Sequence, residues 1–154
     1  MTGTVAAMGA FMRIQFATAA LLFAATVSFA SDLPQIEVWK DPNCGCCSKW
    51  IAHLRESGFR VNAHDTASVN TARAKLGMPH RYGACHTARV GQYVVEGHVP
   101  AADIKRLLKQ QPEAIGLAVP GMPMGSPGME GQHSEPYQTL LVDQSGHASI
   151  FSNH

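Results

Sequence analysis

The chain has 154 residues, with 12 Lys and Arg against 11 Asp and Glu, and a formal net charge of +1 at pH 7. This near-neutrality argues against a nucleic-acid partner and against an anionic membrane surface, because both select a basic patch. Three of the four cysteines lie within four positions, so the chemistry is expected to centre on them.

The first thirty residues predict a secretory signal peptide. Arg13 precedes an apolar run over residues 16–29, and the small residues Ser28 and Ala30 bound a cleavage site. The run is shorter than the ~20 residues that a helix needs to cross a bilayer. We therefore expect cleavage after Ala30 and a periplasmic protein that has no membrane contact afterwards. An uncleaved membrane anchor is the alternative.

A strand and then a helix flank the clustered cysteines. The strand covers residues 36–39 and ends before Pro42, and the helix has Asn43 as its expected N-cap and Gly58 as its stop. The apolar face of the helix recurs at helical spacing and consists of Cys47, Trp50, Ile51 and Leu54. We expect Trp39 and Trp50 to fill the core beside the cysteines.

The next elements are shorter. A strand alternates over residues 59–63, and a helix capped by Thr66 or Ser68 ends near Leu76. After an irregular stretch, strands over 87–90 and 93–96 are joined by Gly91-Gln92, which suits a type II′ hairpin turn. A further helix starts with Pro100 at its first position and ends before Pro112, with an apolar face of Ile104, Leu107 and Leu108.

Beyond Pro112 the composition shifts. Residues 116–133 are rich in glycine, proline and methionine, which argues against a helix or a regular strand. A final hairpin is expected from residues 137–142 and 148–151. The predicted organisation is a signal peptide over 1–30, an α/β domain over 31–112 and an extension over 113–154.

The cysteine cluster has three interpretations. In an oxidising compartment four cysteines usually form two disulfides, but Cys44–Cys47 is the only comfortable local pair, and it leaves Cys46 and Cys85. The CxxC spacing also suits a thiol-disulfide oxidoreductase with Cys44 as nucleophile, because a helix N-terminus stabilises thiolate. A third thiol in the same loop favours metal binding instead.

The other donors indicate which metal binds. Met122, Met124 and Met129 are neutral thioethers, which suit copper(I) and contribute little to zinc. His133 lies near them in sequence and is a further candidate ligand. Loop packing is the alternative role for the methionines.

Four motifs in order carry a family resemblance: CGCC (44–47), ACHTARV (84–90), VVEGHVP (94–100) and GLAVPGMPMGSPGME (116–130). Together they resemble the periplasmic copper-resistance family of CopG type. The βαβαββα order over residues 36–110, with cysteines between the first strand and the first helix, is similar to a thioredoxin-like domain.

This resemblance implies a metal site larger than the local motif. In thioredoxin-like folds the loop before the third strand faces the first helix, which brings Cys85 toward Cys44. The family resemblance implies that Cys44, Cys46, Cys47 and Cys85 surround one copper cluster, with His86 and extension residues as neighbours. The match to GHVP adds His98 as a copper neighbour.

The predicted function is a monomeric periplasmic copper-binding protein. It would hold a multinuclear, thiolate-bridged copper cluster and interconvert copper(I) and copper(II) in copper resistance, with a copper efflux or chaperone protein as partner. If the protein is an enzyme, we expect it to be a copper oxidoreductase. The rival hypotheses are a disulfide oxidoreductase that uses Cys44 and Cys47 catalytically, and a copper store without redox turnover.

Overall fold

A computed structural model describes residues 33–154, so the predicted signal peptide and its cleavage site lie outside the described residues. The chain forms a mixed α/β fold with a seven-stranded sheet and three helices in this range. In chain order the elements are β1 Ile36–Lys40, α1 Gly45–Glu56, β2 Val61–Asp65, α2 Val69–Leu76, β3 His86–Val90, β4 Tyr93–Gly97, α3 Ala101–Gln110, β5 Gly116–Val119, β6 Gln138–Val142 and β7 Ala148–Asn153. A short 3₁₀ turn, His80–Tyr82, precedes β3.

The sheet has the strand order β2-β1-β3-β4-β5-β6-β7. β1 pairs parallel with β2, and β4 pairs parallel with β5 across the α3 connection. The other neighbouring pairs, β1 with β3, β3 with β4, β5 with β6 and β6 with β7, are antiparallel. The two parallel pairs are those whose connections contain a helix, as a parallel crossover requires.

The helices bury the faces that their periodicity predicted. In α1 the buried residues are Cys47, Trp50, Ile51 and Leu54, which is the predicted set. In α3 Ile104 and Leu107 are fully buried, and Leu108 packs partly against the same core. Ser68 caps α2 through its hydroxyl, which accepts from the Thr71 N–H at 3.2 Å. Gly91 has a φ of 56°, as the first position of a type II′ turn requires.

Three local expectations were wrong. Cys44, not Asn43, is the N-cap of α1, and its sulfur accepts from the Cys47 N–H at 3.3 Å. Pro100 is the N-cap of α3 and lies one residue before the helix. Trp39 is only half-buried and stacks on His64, because alternation along β1 turns it away from the face that buries Ile36 and Val38.

The expectation of no regular strand over residues 116–133 was wrong at its start. Residues 116–119 form β5, and all four are buried between β4 and β6. The apolar run Leu117-Ala118-Val119 precedes the proline- and glycine-rich part, so the average composition concealed it. The predicted final hairpin is present as β6 and β7, with a bulge between Thr139 and Leu140.

Within residues 33–154 each helix is too short or too polar to span a bilayer.

Candidate metal centre

Strand pairing brings the two cysteine-bearing loops together. The last residue of β1, Lys40, pairs with the first residue of β3, His86. The loop that leaves β1 toward Cys44 and the loop that enters β3 from Cys85 therefore lie at the same end of the sheet. This register joins residues that are about forty positions apart in sequence.

The four cysteine sulfurs form one compact group in which each sulfur lies within 4.8 Å of the others. Cys44 and Cys47 are joined in a disulfide, whereas Cys46 and Cys85 are free. The Sγ of Cys46 lies 3.5 Å from that of Cys44 and 3.9 Å from that of Cys85. The Sγ of Cys85 also lies 3.5 Å from that of Cys47. The local pairing that the spacing favoured is the one observed.

Two histidines extend the sulfur group. The Nε2 of His98 lies 3.1 Å from Cys85 Sγ, and the Nδ1 of His86 lies 3.4 Å from the same atom. Cys85, His86 and His98 thus form a second group of donors that shares Cys85 with the first. Both histidines were predicted ligands, and the structure places them beside Cys85.

Backbone carbonyls fix the tautomers of both histidines. The Nδ1 of His98 lies 2.8 Å from the Pro127 carbonyl, and the Nε2 of His86 lies 2.9 Å from the Gly97 carbonyl. A carbonyl only accepts, so these nitrogens carry the proton in the neutral rings. The nitrogens that face Cys85 are then lone-pair donors. Proteins commonly orient metal-binding histidines in this way, by a hydrogen bond from the other ring N–H to a carbonyl.

Burial keeps these groups uncharged in the absence of a metal. Desolvation, followed by the neighbouring His98, lowers the pKa of His86 to about 3. Desolvation also lowers the pKa of His98, against the opposing hydrogen bond to Pro127. Burial, and then the nearby Cys46, raise the pKa of the Cys85 thiol to about 12. A bound cation would replace the Cys85 proton, because metals bind the thiolate.

Trp50 and the extension enclose the inner side of the centre. Trp50 is fully buried, donates from Nε1 to the Val99 carbonyl at 2.8 Å and packs against His86 with ring centroids 4.2 Å apart. Gly128 lies so close to the α1 backbone that a Cβ there would be 2.7 Å from the Cys46 carbonyl oxygen. The extension therefore packs directly on the first turn of α1.

A buried ion pair that the sequence reasoning missed holds the loop before Cys85. Arg73 on α2 donates to Glu96 Oε1 on β4 and to the Ala84 carbonyl, both at 2.7 Å. Glu96 Oε1 also accepts from the Ala84 N–H at 2.8 Å. The two side chains are 2% and 0% exposed. The available signal was a charged residue inside the apolar strand YVVEG, which needs a partner if it is buried.

The remaining predicted ligands lie in the extension loop. Met122 and Met124 are 51% and 38% exposed, and Met129 is half-buried directly after Gly128. His133 is exposed, and it is in neither donor group of the described residues. The structure thus brings together six of the ten predicted ligands. The ligand roles of the three methionines and His133 stay predictions.

One side of the centre opens to solvent. A groove of about 500 Å³ runs past Cys44 and Cys85 and continues to the N-terminus of α2. Its lining consists of Asp41, Asn43, Cys44, Ala67, Ser68, Val69, Asn70, Ala84 and Cys85. Cys44 is half-buried at this groove, whereas Cys47 is 0% exposed. External reagents can therefore reach Cys44 more readily than Cys47.

The donor set fits copper better than a hard cation. Four sulfurs and two imidazole nitrogens are soft or borderline ligands, and no carboxylate belongs to either donor group of the described residues. Thiolates select soft or borderline metals such as copper(I) and zinc, and imidazole suits both copper and zinc. The fold and this centre define an α/β protein with a cysteine cluster able to bind metal.

Comparisons with known proteins agree with that class. Two solved structures, "Copper resistance protein copG- Form 2" and "Copper resistance protein copG- Form 1", are each 45% identical to this chain, with TM-scores of 0.75 and 0.74. Each match covers 79% of this chain and 98% of the solved one. Residues 82–129 match a family described as "Protein of unknown function, DUF411". No functionally curated protein matches significantly. The chain belongs to the CopG family of copper resistance proteins.

Proposed function

We propose that this protein binds copper in the periplasm as part of copper resistance and interconverts copper(I) and copper(II). The observation that carries the proposal is the convergence of four cysteine sulfurs within 4.8 Å, with two imidazoles grouped around one of them, that of Cys85. The structural relatives are named copper resistance proteins, which supports copper as the metal.

Reduced cysteines would hold the metal as a multinuclear cluster. Cys44 and Cys47 become thiolates once their disulfide is reduced, and closely spaced thiolates can each bridge two copper ions. His86 and His98 present oriented lone pairs to Cys85, which belongs to both donor groups. Thiolates favour copper(I), and imidazoles keep copper(II) accessible, so one centre can serve both oxidation states.

The proposed fold is a thioredoxin-like domain over residues 31–112, followed by an extension over residues 113–154. The element order and the strand order β2-β1-β3-β4 support it. The extension would contribute to the metal site through Met122, Met124 and Met129. A monomer that exchanges copper with an efflux or chaperone protein completes the proposal.

The test of copper binding is a comparison of Cys85→Ser with wild type. Both proteins would be isolated from copper-supplemented cells and measured by elemental analysis and absorption spectroscopy. We expect the variant to hold less than half of the wild-type copper and to have altered charge-transfer bands, because Cys85 joins the two donor groups. Circular dichroism checks that the fold is kept. Unchanged copper content and spectrum would contradict a ligand role for Cys85.

A disulfide oxidoreductase is the second candidate, and the Cys44–Cys47 disulfide with Cys44 at the open groove favours it. This activity needs only those two cysteines, because the attacking and resolving thiols suffice for exchange. The double variant Cys46→Ser/Cys85→Ser distinguishes the candidates. A copper protein loses its metal in this variant, whereas a metal-independent oxidoreductase keeps its turnover of a test disulfide.

A further inference from the structure

The Cys44–Cys47 disulfide divides the sulfur cluster into two bonded and two free sulfurs. Metals bind cysteine as thiolate, and a sulfur held in a disulfide has no thiolate to offer. Cys44 and Cys47 are therefore withdrawn from the donor set in this form, although their positions in the cluster are kept.

The donors that remain are still contiguous. Cys46 Sγ lies 3.9 Å from Cys85 Sγ, which lies 3.1 Å from His98 Nε2 and 3.4 Å from His86 Nδ1. The donor atoms of Cys85, His86 and His98 lie within 4.8 Å of one another, and one thiolate with two oriented imidazoles is enough to coordinate one copper ion. The oxidised protein thus keeps a three-donor site that shares Cys85 with the four-sulfur group.

We propose that the Cys44–Cys47 disulfide sets the copper capacity of the centre, an inference that rests on the proposed copper-binding function. The oxidised protein holds one copper ion between Cys85, His86 and His98, with the Cys46 sulfur 3.9 Å from that of Cys85. Reduction of the disulfide adds two thiolates that lie within 4.8 Å of Cys85 Sγ and admits further copper. The redox state of Cys44 and Cys47 thereby determines how much copper the protein binds.

The reductant is a dithiol that reaches the disulfide through the groove at Cys44. One of its thiolates forms a bond to Cys44 Sγ, the Cys44–Cys47 bond breaks, and Cys47 leaves as thiolate. The second thiolate of the dithiol then attacks the dithiol sulfur that is bonded to Cys44, and Cys44 leaves as thiolate. Two electrons pass from the dithiol to the protein, and the dithiol leaves as a disulfide. The two protons of the dithiol go to Cys44 and Cys47 or, where copper binds, to solvent.

The exposures of the two sulfurs set this direction of attack. Cys44 is half-buried and lines the groove of about 500 Å³, whereas Cys47, in the first turn of α1, is 0% exposed. The displaced Cys47 sulfur also lies 3.5 Å from Cys85 Sγ, so it becomes a thiolate next to the existing site. Reduction enlarges the donor set without moving a new loop into place.

The experiment compares the two redox states of the wild-type protein. One sample is oxidised with diamide and the other is reduced with dithiothreitol, and both are desalted without oxygen. Each is titrated with copper(I) against bicinchoninate, and alkylation with peptide mass spectrometry maps the disulfide after loading. We expect about one copper ion per oxidised chain, with the Cys44–Cys47 disulfide intact, and at least twice as much copper after reduction. Equal copper content in both states, or loss of the disulfide on loading, overturns the proposal.

Two double variants provide matched controls. Cys44→Ser/Cys47→Ser cannot form the disulfide and should keep the low copper content after both treatments; a gain on reduction contradicts the proposal. Cys46→Ser/Cys85→Ser keeps the disulfide and should lose the copper of the oxidised state. If neither wild-type state binds copper, the proposed function itself fails. If both bind the same number of ions, copper binding stands and only the redox control fails.

Discussion

A single buried carboxylate, that of Glu96, organises the loop that carries Cys85. Its Oε1 accepts from Arg73 and from the Ala84 backbone, and neither charged side chain has appreciable exposure. Burial raises the pKa of Glu96, and the hydrogen bonds from Arg73 and Ala84 oppose that shift. A buried ion pair adds little net stability, but the removal of one partner leaves an uncompensated charge.

Glu96→Gln should therefore destabilise the protein strongly. The amide keeps the size of the side chain and removes its charge, so Arg73 stays buried without a counter-ion. We expect a loss of about 3–5 kcal/mol in the free energy of unfolding, measured by urea denaturation. The exposed Glu113 gives the control, since Glu113→Gln should change stability by no more than about 0.5 kcal/mol. Equal stabilities for the two variants would show that the pair is dispensable.

The extension loop and the first helix meet at Gly128. Its φ is 89°, and a Cβ would lie 2.7 Å from the Cys46 carbonyl oxygen and 2.8 Å from the Trp50 amide nitrogen. Both neighbours are backbone atoms of α1 that cannot rotate away. The preceding carbonyl, that of Pro127, is the one that orients His98. Packing at this glycine therefore connects the loop to the metal centre.

Gly128→Ala should push the loop away from α1 and release His98. Gly121→Ala is the matched control, because Gly121 has a φ of 71° and an added Cβ would meet nothing within 4 Å. Both variants bear the cost of a left-handed alanine, about 1–2 kcal/mol, and only Gly128→Ala adds the clash. We expect a lower copper content for Gly128→Ala alone, measured by elemental analysis at equal folded fraction. Equal copper contents would argue against a role of the loop in the centre.

The methionines of the same loop permit a second test. Met122 and Met124 are exposed, and exposed thioethers in an oxidising compartment are open to sulfoxidation unless they cover something. The triple variant Met122→Leu/Met124→Leu/Met129→Leu keeps bulk and removes sulfur. We expect it to lose copper(I) to a chelator several-fold faster than wild type, in stopped-flow or absorbance measurements. A wild-type copper content and release rate would assign these residues to packing.

The chain beyond Pro112 is part of the sheet in the described protein. It supplies β5, β6 and β7, three of the seven strands found between residues 33 and 154. β5 pairs with β4 in the sheet and places Leu117 and Val119 in the core. All five residues of β4 are buried. The chain beyond Pro112 thus completes the core through β5 and also supplies Pro127 and Gly128 to the metal centre.

Export of the whole protein is the remaining prediction. The apolar run over residues 16–29 and the small residues Ser28 and Ala30 predict cleavage before Ser31. Mass spectrometry of protein recovered from the periplasm should give a mature N-terminus at Ser31, within a residue or two. Recovery of the intact N-terminus from the membrane fraction would instead show an anchored protein. The cysteine chemistry depends on this result, because disulfides persist in oxidising compartments.

Features that depend on neighbours in sequence could be predicted from the chain alone. Helical spacing identified the buried face of α1, and cysteine spacing identified Cys44–Cys47 as the local pair. Alternation and turn residues indicated the strands before α3, although β2 begins at Val61 and not at residue 59. Each of these follows from the geometry of one helix turn, one strand or one short loop. The resemblance to a known family was needed to add Cys85 and His86 to the centre.

Only the tertiary structure decided which residues from distant parts of the chain contact one another. The pairing of Lys40 with His86 brings Cys85 to the α1 cysteines, and the Pro127 carbonyl sets the tautomer of His98 from the extension. The burial of Glu96 against Arg73 likewise joins β4 to α2. A one-dimensional pattern records periodicity but not which strands pair or in which register. These contacts join residues 23 to 46 positions apart, so the register and the packing of the sheet determine them.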